Sequence, residues 1–356
     1  MKLGFFTMPI HPLHRSVTET LKEDRELALV ADRLGFVEGY FGEHVTDAAE
    51  TITSSLIFVA SLISATTRIK LGTGTVNLPC YHPAMVAAQA AMIDHMAEGR
   101  FLFGISPGGL MSDAELFGNL DKNRAAMFVE SIDHILRIWA TQAPYDIAGP
   151  HWTTSTARTM IGDLGQGEIL KPYQLPHPPI VVTAVSPHSE SVAQAARRGW
   201  KVISGNFLLP QWVKSHWPKF VEGSADVGKT PDFADWRVAK SIFVADDLAT
   251  ARRYATGAHG PYHNYYSSIV TKMKRNGRAG LFKRDLAAAD DTVTVDGVVD
   301  DLVIWGTPDK VADELAAFRE DVGPFGTLLY AGHDWADRKL AIRSMELMAE
   351  KVLPSL

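Results

Sequence analysis

The residues of this sequence best placed to do chemistry stand where apolar runs of β type end. His44 follows Glu43 at the close of the run Val37–Glu43, and His82 precedes Pro83 just past the run Ile69–Asn77. An imidazole changes charge near neutral pH, so a histidine on a strand end suits acid–base work. Neither histidine has the His-x-x-x-His or carboxylate spacing of a metal site. A lone histidine most often serves structure, and position is what favours chemistry at His44. Gly104-Ile105-Ser106-Pro107-Gly108 matches the nucleophile elbow of serine hydrolases, with His333-Asp334 available as the base. That mechanism takes an oxyanion donor from the N–H of the residue after the serine, and Pro107 has none, which disfavours it. Gly72-Thr73-Gly74-Thr75-Val76-Asn77 opens like a dinucleotide fingerprint, but Asn77 replaces the third glycine and Pro79 follows where a helix should start. Its small residues instead allow something planar to lie against the backbone. In Ser186-Pro187-His188-Ser189, Ser186 fits a helix N-cap and Pro187 the first helical position. A simple cap needs no ligand, yet exposed amides there, with the Ser189 hydroxyl, also make a phosphate cradle.

The elements that must position these residues alternate between apolar β-type runs and helical patterns, which implies parallel strands joined by crossover helices. The expected strands are Leu3–Met8, Val37–Glu43, Ile69–Asn77, Phe101–Ser106, Ile180–Ala184, Lys201–Ser204, Trp236–Val244 and Thr327–Ala331. Eight of them suggest a closed α/β barrel, whose chemistry gathers at the carboxyl ends of the strands. Ser16 and Glu19 have capping-box spacing before a helix that Gly35 ends, and Thr307-Pro308 opens the last crossover helix. Two other helices, Ser54–Ala65 and Pro83–Ala97, are apolar almost all round, so an outer barrel position requires a partner subunit to cover them. Between Thr256 and Val299 the pattern breaks down into Gly, aromatic and basic residues, including the run Lys272-Met273-Lys274-Arg275-Asn276-Gly277-Arg278. Such an insertion is either a lid over the barrel mouth or a solvated basic loop.

The 356 residues, 46% hydrophobic and 21% charged, have ordinary globular composition, and no boundary divides residues 1–356 into more than one domain. A net charge of −6 gives no general attraction to nucleic acid or anionic lipid. Cys80 is the only cysteine, which excludes an intrachain disulfide or a thiolate metal cluster. The N-terminus shows no targeting segment, and the most apolar stretch, Ser54–Ala65, is short of the roughly 20 residues needed to span a membrane. A soluble, cytoplasmic protein is expected.

Several motifs together resemble the bacterial luciferase-like flavin monooxygenases. They are Lys2-Leu3-Gly4-Phe5-Phe6, Gly42-Glu43-His44, Arg68-Ile69-Lys70-Leu71-Gly72-Thr73-Gly74 with Leu78-Pro79 and His82-Pro83, Ile93-Asp94-His95-Met96, Gly99-Arg100-Phe101, Phe103-Gly104-Ile105 and Phe117-Gly118. Weaker matches run from Ser186 to Gly199 and from Gly306 onward, and Met8-Pro9-Ile10-His11-Pro12 is most similar to the limonene- and alkane-oxygenating branch. The resemblance implies a TIM barrel with a mobile insertion before its last strand, paired as a homodimer. It also implies His44 as the active-site histidine beside the reactive edge of the flavin, stabilising the flavin peroxide or moving its proton. Gly74, Thr75 and Asn77 would support the isoalloxazine, the Gly74–Thr75 peptide often being cis. Ser106 stands where luciferases have a cysteine. Val185, Ser186 and Ser189 would hold the phosphate, while Pro107 replaces a phosphate-binding arginine and leaves the compensating basic residue unplaced. The implied cofactor is reduced FMN delivered by a separate reductase, used with O2 on a small apolar substrate. A deazaflavin-dependent dehydrogenase and a non-catalytic flavin-binding protein remain as alternatives.

Overall fold

The computed structural model describes all 356 residues. Eight parallel strands form a ring: β1 (Lys2–Thr7), β2 (Glu38–Phe41), β3 (Lys70–Thr73), β4 (Phe101–Ser106), β5 (Ile180–Ala184), β6 (Lys201–Ser204), β7 (Trp236–Val244) and β8 (Thr327–Ala331). Each expected strand is present. The ring closes because β7 pairs with β6 at its start, Trp236 opposite Val202, and with β8 from Arg237 opposite Thr327 to Ser241 opposite Ala331. β8 in turn pairs with β1. The architecture is a TIM barrel.

Period-two alternation sends every second side chain inward. Phe6, Tyr40, Leu102, Val181, Ile203, Ala239 and Leu329, one from each of seven strands, form a separate apolar cluster inside the ring. The eighth strand contributes Gly72, where a Cβ would come within 2.5 Å of the Tyr40 ring. Below this layer Arg237 donates from Nε to Glu38 Oε1 at 2.7 Å and from Nη2 to Glu38 Oε2 at 3.1 Å, with the Tyr40 hydroxyl 3.2 Å away. Removing one partner of such a buried pair typically costs about 3–5 kcal/mol, because the other charge is left uncompensated. The barrel floor is therefore closed.

The ring is clad by α1 (Val17–Arg33), α2 (Ser55–Ile63), α3 (Pro83–Met96), the short α4 (Met111–Leu116), α5 (Arg124–Ala140) and α6 (Glu190–Arg198), followed by further helices. α1 begins after Ser16 as expected, but the Ser16 side chain makes no capping bond; Gly35 sits at φ +81° beyond its end. No helix is long and apolar enough to cross a membrane.

Three local expectations need correction. The apolar run Ile69–Asn77 is broken: Val76–Asn77 is a separate short strand that leaves β2 and pairs with β4, Val76 opposite Ile105. The helix after β5 starts at Glu190, so Ser186 and Pro187 lie in the preceding turn and Ser189 holds the N-cap position. His188 has φ +48° and its N–H donates to Ser215 Oγ at 2.9 Å, which uses the turn before the helix can begin. Finally, the segment 256–299 is not patternless. It contains a helix at Pro261–Arg275, whose Tyr262, Tyr265, Tyr266, Ile269 and Val270 are buried, and it leads through Val295–Leu302 into an additional strand, Val303–Gly306, paired with the end of β7 outside the ring.

Candidate active site

The ends of β2, β3 and β4 are joined by side chains. Glu43, just past β2, is buried; its Oε2 accepts from the Ser55 N–H at 2.8 Å and hydroxyl at 2.7 Å, and its Oε1 from the Asn77 N–H at 3.0 Å. Burial pushes this carboxyl up despite those donors. The Asn77 amide donates to the Glu43 carbonyl at 3.1 Å and accepts the Ser106 hydroxyl at 2.8 Å, while the Gly108 N–H donates to Ser106 Oγ at 3.1 Å. The Gly74–Thr75 peptide between β3 and Val76–Asn77 is cis. Asn77 and Ser106 are thus bonded into one group with Glu43, the residue before His44, and Gly74 and Thr75 precede Asn77 by three and two positions. No histidine bonds Ser106, and His333 bonds Ser241 instead, so the geometry of a serine hydrolase is absent.

His44 lies between two carboxylates. Its Nδ1 is 2.8 Å from Asp113 Oδ2 on α4, and its Nε2 is 3.9 Å from Glu50 Oε2. Asp113 also accepts from the Thr46 N–H at 2.8 Å and hydroxyl at 2.6 Å. Burial pulls the imidazole pKa down, but the Asp113 bond and the charges of Glu50 and Asp113 outweigh it, and the net shift is upward. For Asp113 burial pushes up, and the His44 and Thr46 bonds win, holding the carboxyl at about 2. His333 is the contrast. It stacks on Tyr265 at 3.8 Å between ring centroids, contacts Tyr262 and Tyr266 edge-on, and its pKa is driven to about 3 by burial alone. It is neutral at physiological pH, with Nε2 3.0 Å from Ser241 Oγ.

A second group follows β5. The Trp236 indole can only donate, so Ser204 Oγ accepts it at 2.9 Å and donates to His216 Nδ1 at 2.8 Å; His216 Nε2–H then donates to the Ser186 carbonyl at 2.9 Å. This relay fixes the turn that carries Val185, Ser186 and Ser189. The amide N–H groups of Ser189, Glu190 and Ser191 have no acceptor in the protein, and no side chain caps α6. Arg278 donates from Nη2 to the Val185 carbonyl at 2.7 Å, pairs with no carboxylate, and is pulled below its usual pKa by burial. No bond joins this group to the first.

Asp113, Glu50, Lys272, Arg278 and His333 with Tyr265 were not assigned to the site from sequence. Lys272 and Arg278 belong to the basic run noted in the insertion, but their partners in the loops after β2 and β5 leave no local mark.

A parallel barrel with an ionisable imidazole and an uncapped helix start at its mouth defines a site for an anionic cofactor and proton chemistry. The profile of the luciferase-like monooxygenases matches residues 1–324, and the chain belongs to that family, an oxidoreductase that incorporates molecular oxygen. It is 32% identical to 4-hydroxyprotoasukamycin monooxygenase of Streptomyces nodosus subsp. asukaensis over 99% of this chain and 92% of the relative. It is 31% identical to limonene 1,2-monooxygenase of Rhodococcus erythropolis over 99% of this chain and 85% of the relative. The oxygenating constituent of 3,6-diketocamphane monooxygenase from Pseudomonas putida, a type II Baeyer-Villiger enzyme solved with FMN, superposes with a TM-score of 0.88 at 26% identity, covering 99% of this chain and 98% of that one.

Because the Asp113 carboxyl is held at about 2, below the ~3.9 of a free aspartate, its contribution to stability is complete above pH 4 and is lost as pH falls toward 2. The stability difference between wild type and Asp113→Asn, from urea unfolding, is therefore expected to be largest between about pH 4 and 6, to shrink below that as Asp113 protonates, and to shrink again as pH rises through the His44 midpoint, which Asp113 holds up. A difference independent of pH across that range would contradict the pairing.

Proposed function

We propose that the protein is an FMN-dependent monooxygenase that receives reduced FMN from a separate reductase and inserts one atom of O2 into a small apolar substrate. The observation that carries this reading is the carboxylate-flanked His44 at the barrel mouth, beside the Gly74–Thr75 strand end. The residues present fit FMN. The free amides of Ser189, Glu190 and Ser191 and the unpaired Arg278 guanidinium suit a phosphate, with Val185 and Ser186 shaping the turn. Gly74, Thr75, Asn77 and Ser106 would support the ring system. When bound, reduced FMN supplies the two electrons that activate O2, and the second oxygen atom leaves as water.

This chain's own residues do the remaining work. Asp113 fixes the His44 ring and favours its protonated form, so Nε2 can hold or pass a proton at the reacting centre. The buried tyrosines of the Pro261–Arg275 helix cover the mouth beside neutral His333, and this apolar cover excludes water. The Gly72-Thr73-Gly74 run ends a barrel strand rather than opening a helix, which supports delivery of reducing equivalents by a separate flavin reductase. A cytoplasmic setting fits the single cysteine. Exposed Ile57 on α2 and Met85 and Met92 on α3, at 72%, 56% and 51%, support pairing of two copies across this face.

Photoreduced FMN mixed with the protein and a small apolar ketone or alkene, and then with O2, should give an oxygenated product without a nicotinamide, whereas free reduced FMN, which autoxidises on its own, gives only hydrogen peroxide. Hydride transfer to or from a deazaflavin with no oxygen consumed would put a dehydrogenase in its place, and no turnover of any kind would leave a binding protein. His44→Ala should retain FMN yet divert oxygen to free hydrogen peroxide; unchanged coupling would remove His44 from the chemistry. Arg278→Met should weaken FMN binding about tenfold or more, while riboflavin, which lacks the phosphate, binds as before. Equal losses for the two flavins would place Arg278 elsewhere. Sedimentation should show a dimer that Met92→Asp dissociates, and a monomeric wild type would reject that pairing.

A further inference from the structure

Glu50 is completely buried beside His44, and one of its two oxygens has no partner. Its backbone is pinned by a bridge to Ile10 and by its N–H to the Asp47 carbonyl at 3.0 Å. Oε1 accepts from Lys272 Nζ at 3.1 Å, and the same ammonium contacts Asp47. Oε2 has no hydrogen-bond partner and faces His44 Nε2 at 3.9 Å, within ion-pair reach but too long for a hydrogen bond. Because Asp113 already occupies Nδ1, Nε2 is the ring nitrogen left free for chemistry, and Glu50 is the carboxylate that faces it.

We propose that Glu50 is a positioning residue for His44, and that Lys272 from the insertion keeps Glu50 ionised, so that the two together hold the proton on His44 Nε2. The proposal rests on the reading that His44 carries the site's proton. Every charged group facing the pair enters the argument. His44 is met by Asp113 from α4 and by Glu50, with Lys272 opposing. Glu50 is met by His44, by Lys272 and by Asp47, and the Tyr265 phenol of the insertion helix lies close enough to feel its charge. Burial drives the Glu50 carboxyl up, and His44 and Lys272 are the groups that resist this. The net shift of Glu50 is upward; the ammonium favours its anionic form against burial, and an anionic Glu50 favours Nε2 as a donor. Without it, a buried carboxyl takes up a proton, its attraction for the imidazolium vanishes, and Nε2 becomes an acceptor more readily. The insertion thus reaches the reacting nitrogen through one intervening carboxylate.

The test is an NMR titration of histidine labelled with carbon-13 at Cε1 in the flavin-free protein, with the His44 signal assigned by its loss in His44→Gln. Glu50→Gln is expected to lower the His44 midpoint by about one pH unit. Lys272→Met is expected to lower it in the Glu50 background and to raise it in the Glu50→Gln background, where only repulsion from the ammonium remains. That reversal of sign is something a merely structural role would not produce. A Glu50→Gln midpoint equal to wild type, or a Lys272→Met shift of the same sign in both backgrounds, overturns the proposal. If Glu50→Gln does not fold, Lys272→Met alone decides: a downward shift supports it and no shift overturns it. The titration needs no cofactor, so its failure leaves the oxygenation assay untouched, and an absent oxygenated product with intact shifts would overturn only the proposed reaction.

Discussion

Charge buried in this barrel needs a partner, and the partners come from far along the chain. Glu38 on the floor is met by Arg237, 199 positions later, and His44 by Asp113, 69 positions later. Glu50 is met by Lys272, 222 positions away, and His11 by Asp334, 323 positions away. Each pair ties an element near the start of the chain to one that reaches it only once the ring has formed. A one-residue slip of β7 would turn Arg237 out of the floor and leave Glu38 alone inside. The order and register of the strands are therefore enforced by electrostatics as well as by apolar packing, and the site at the mouth inherits that precision.

The eight ring strands were legible in the sequence because each is a short apolar run bounded by turn residues, a signal that does not depend on distant partners. His44, Asn77 and Ser106 were legible as strand-end residues for the same reason. The additional strand Val303–Gly306 was not, because it continues directly from the helix Val295–Leu302 and no turn residue separates the apolar residues of the two. Ser186-Pro187 looks like a helix start because Ser-Pro is a common cap pair; the hydrogen bond from His188 to Ser215 that precedes the helix crosses 27 positions and has no local trace. Asp113 sits on a six-residue helix too short to show a face, and Glu50 is an acidic residue in a loop, where solvent exposure is the ordinary expectation. Its burial follows from Lys272, and the basic run containing Lys272 is equally compatible with a solvated loop until the fold brings the two together.

Four histidines with displaced pKa values lie around the mouth; His216, pulled down by burial, has both nitrogens engaged by Ser204 and the Ser186 carbonyl, and the surroundings of the other three give them different capacities. His11 is pushed up to about 9: burial opposes the charge, but Asp24 and Asp334 overcome it, and they occupy Nε2 at 3.3 Å and Nδ1 at 2.7 Å. It is charged, and both nitrogens are engaged. His333 in its tyrosine box has no carboxylate partner and stays neutral, so it can line a pocket for an apolar substrate without bringing charge into it. His44 alone of the three combines a neighbourhood that favours the proton with a ring nitrogen free of any hydrogen bond. On the proposed reading, the placement of carboxylates, rather than any property of histidine itself, is what singles out one residue for proton chemistry.

The insertion contributes two cations to this arrangement, and they do different things because their surroundings differ. Lys272 meets Asp47 and Glu50, so its charge is neutralised within the protein and acts only on the groups it touches. Arg278, six residues on, touches a carbonyl and no carboxylate, so its charge remains available to an anion. In a chain with a net charge of −6, an uncompensated guanidinium beside three free helix amides is a local reversal of sign, which focuses an approaching phosphate on the β5 side of the mouth. Exchanging their partners would undo both functions: a carboxylate beside Arg278 would repel the phosphate, and an unpaired Lys272 would leave Glu50 to protonate. On the proposed reading one short basic run serves binding at one end and proton control at the other, and what separates the two is the presence or absence of acidic side chains on the loops that each cation reaches.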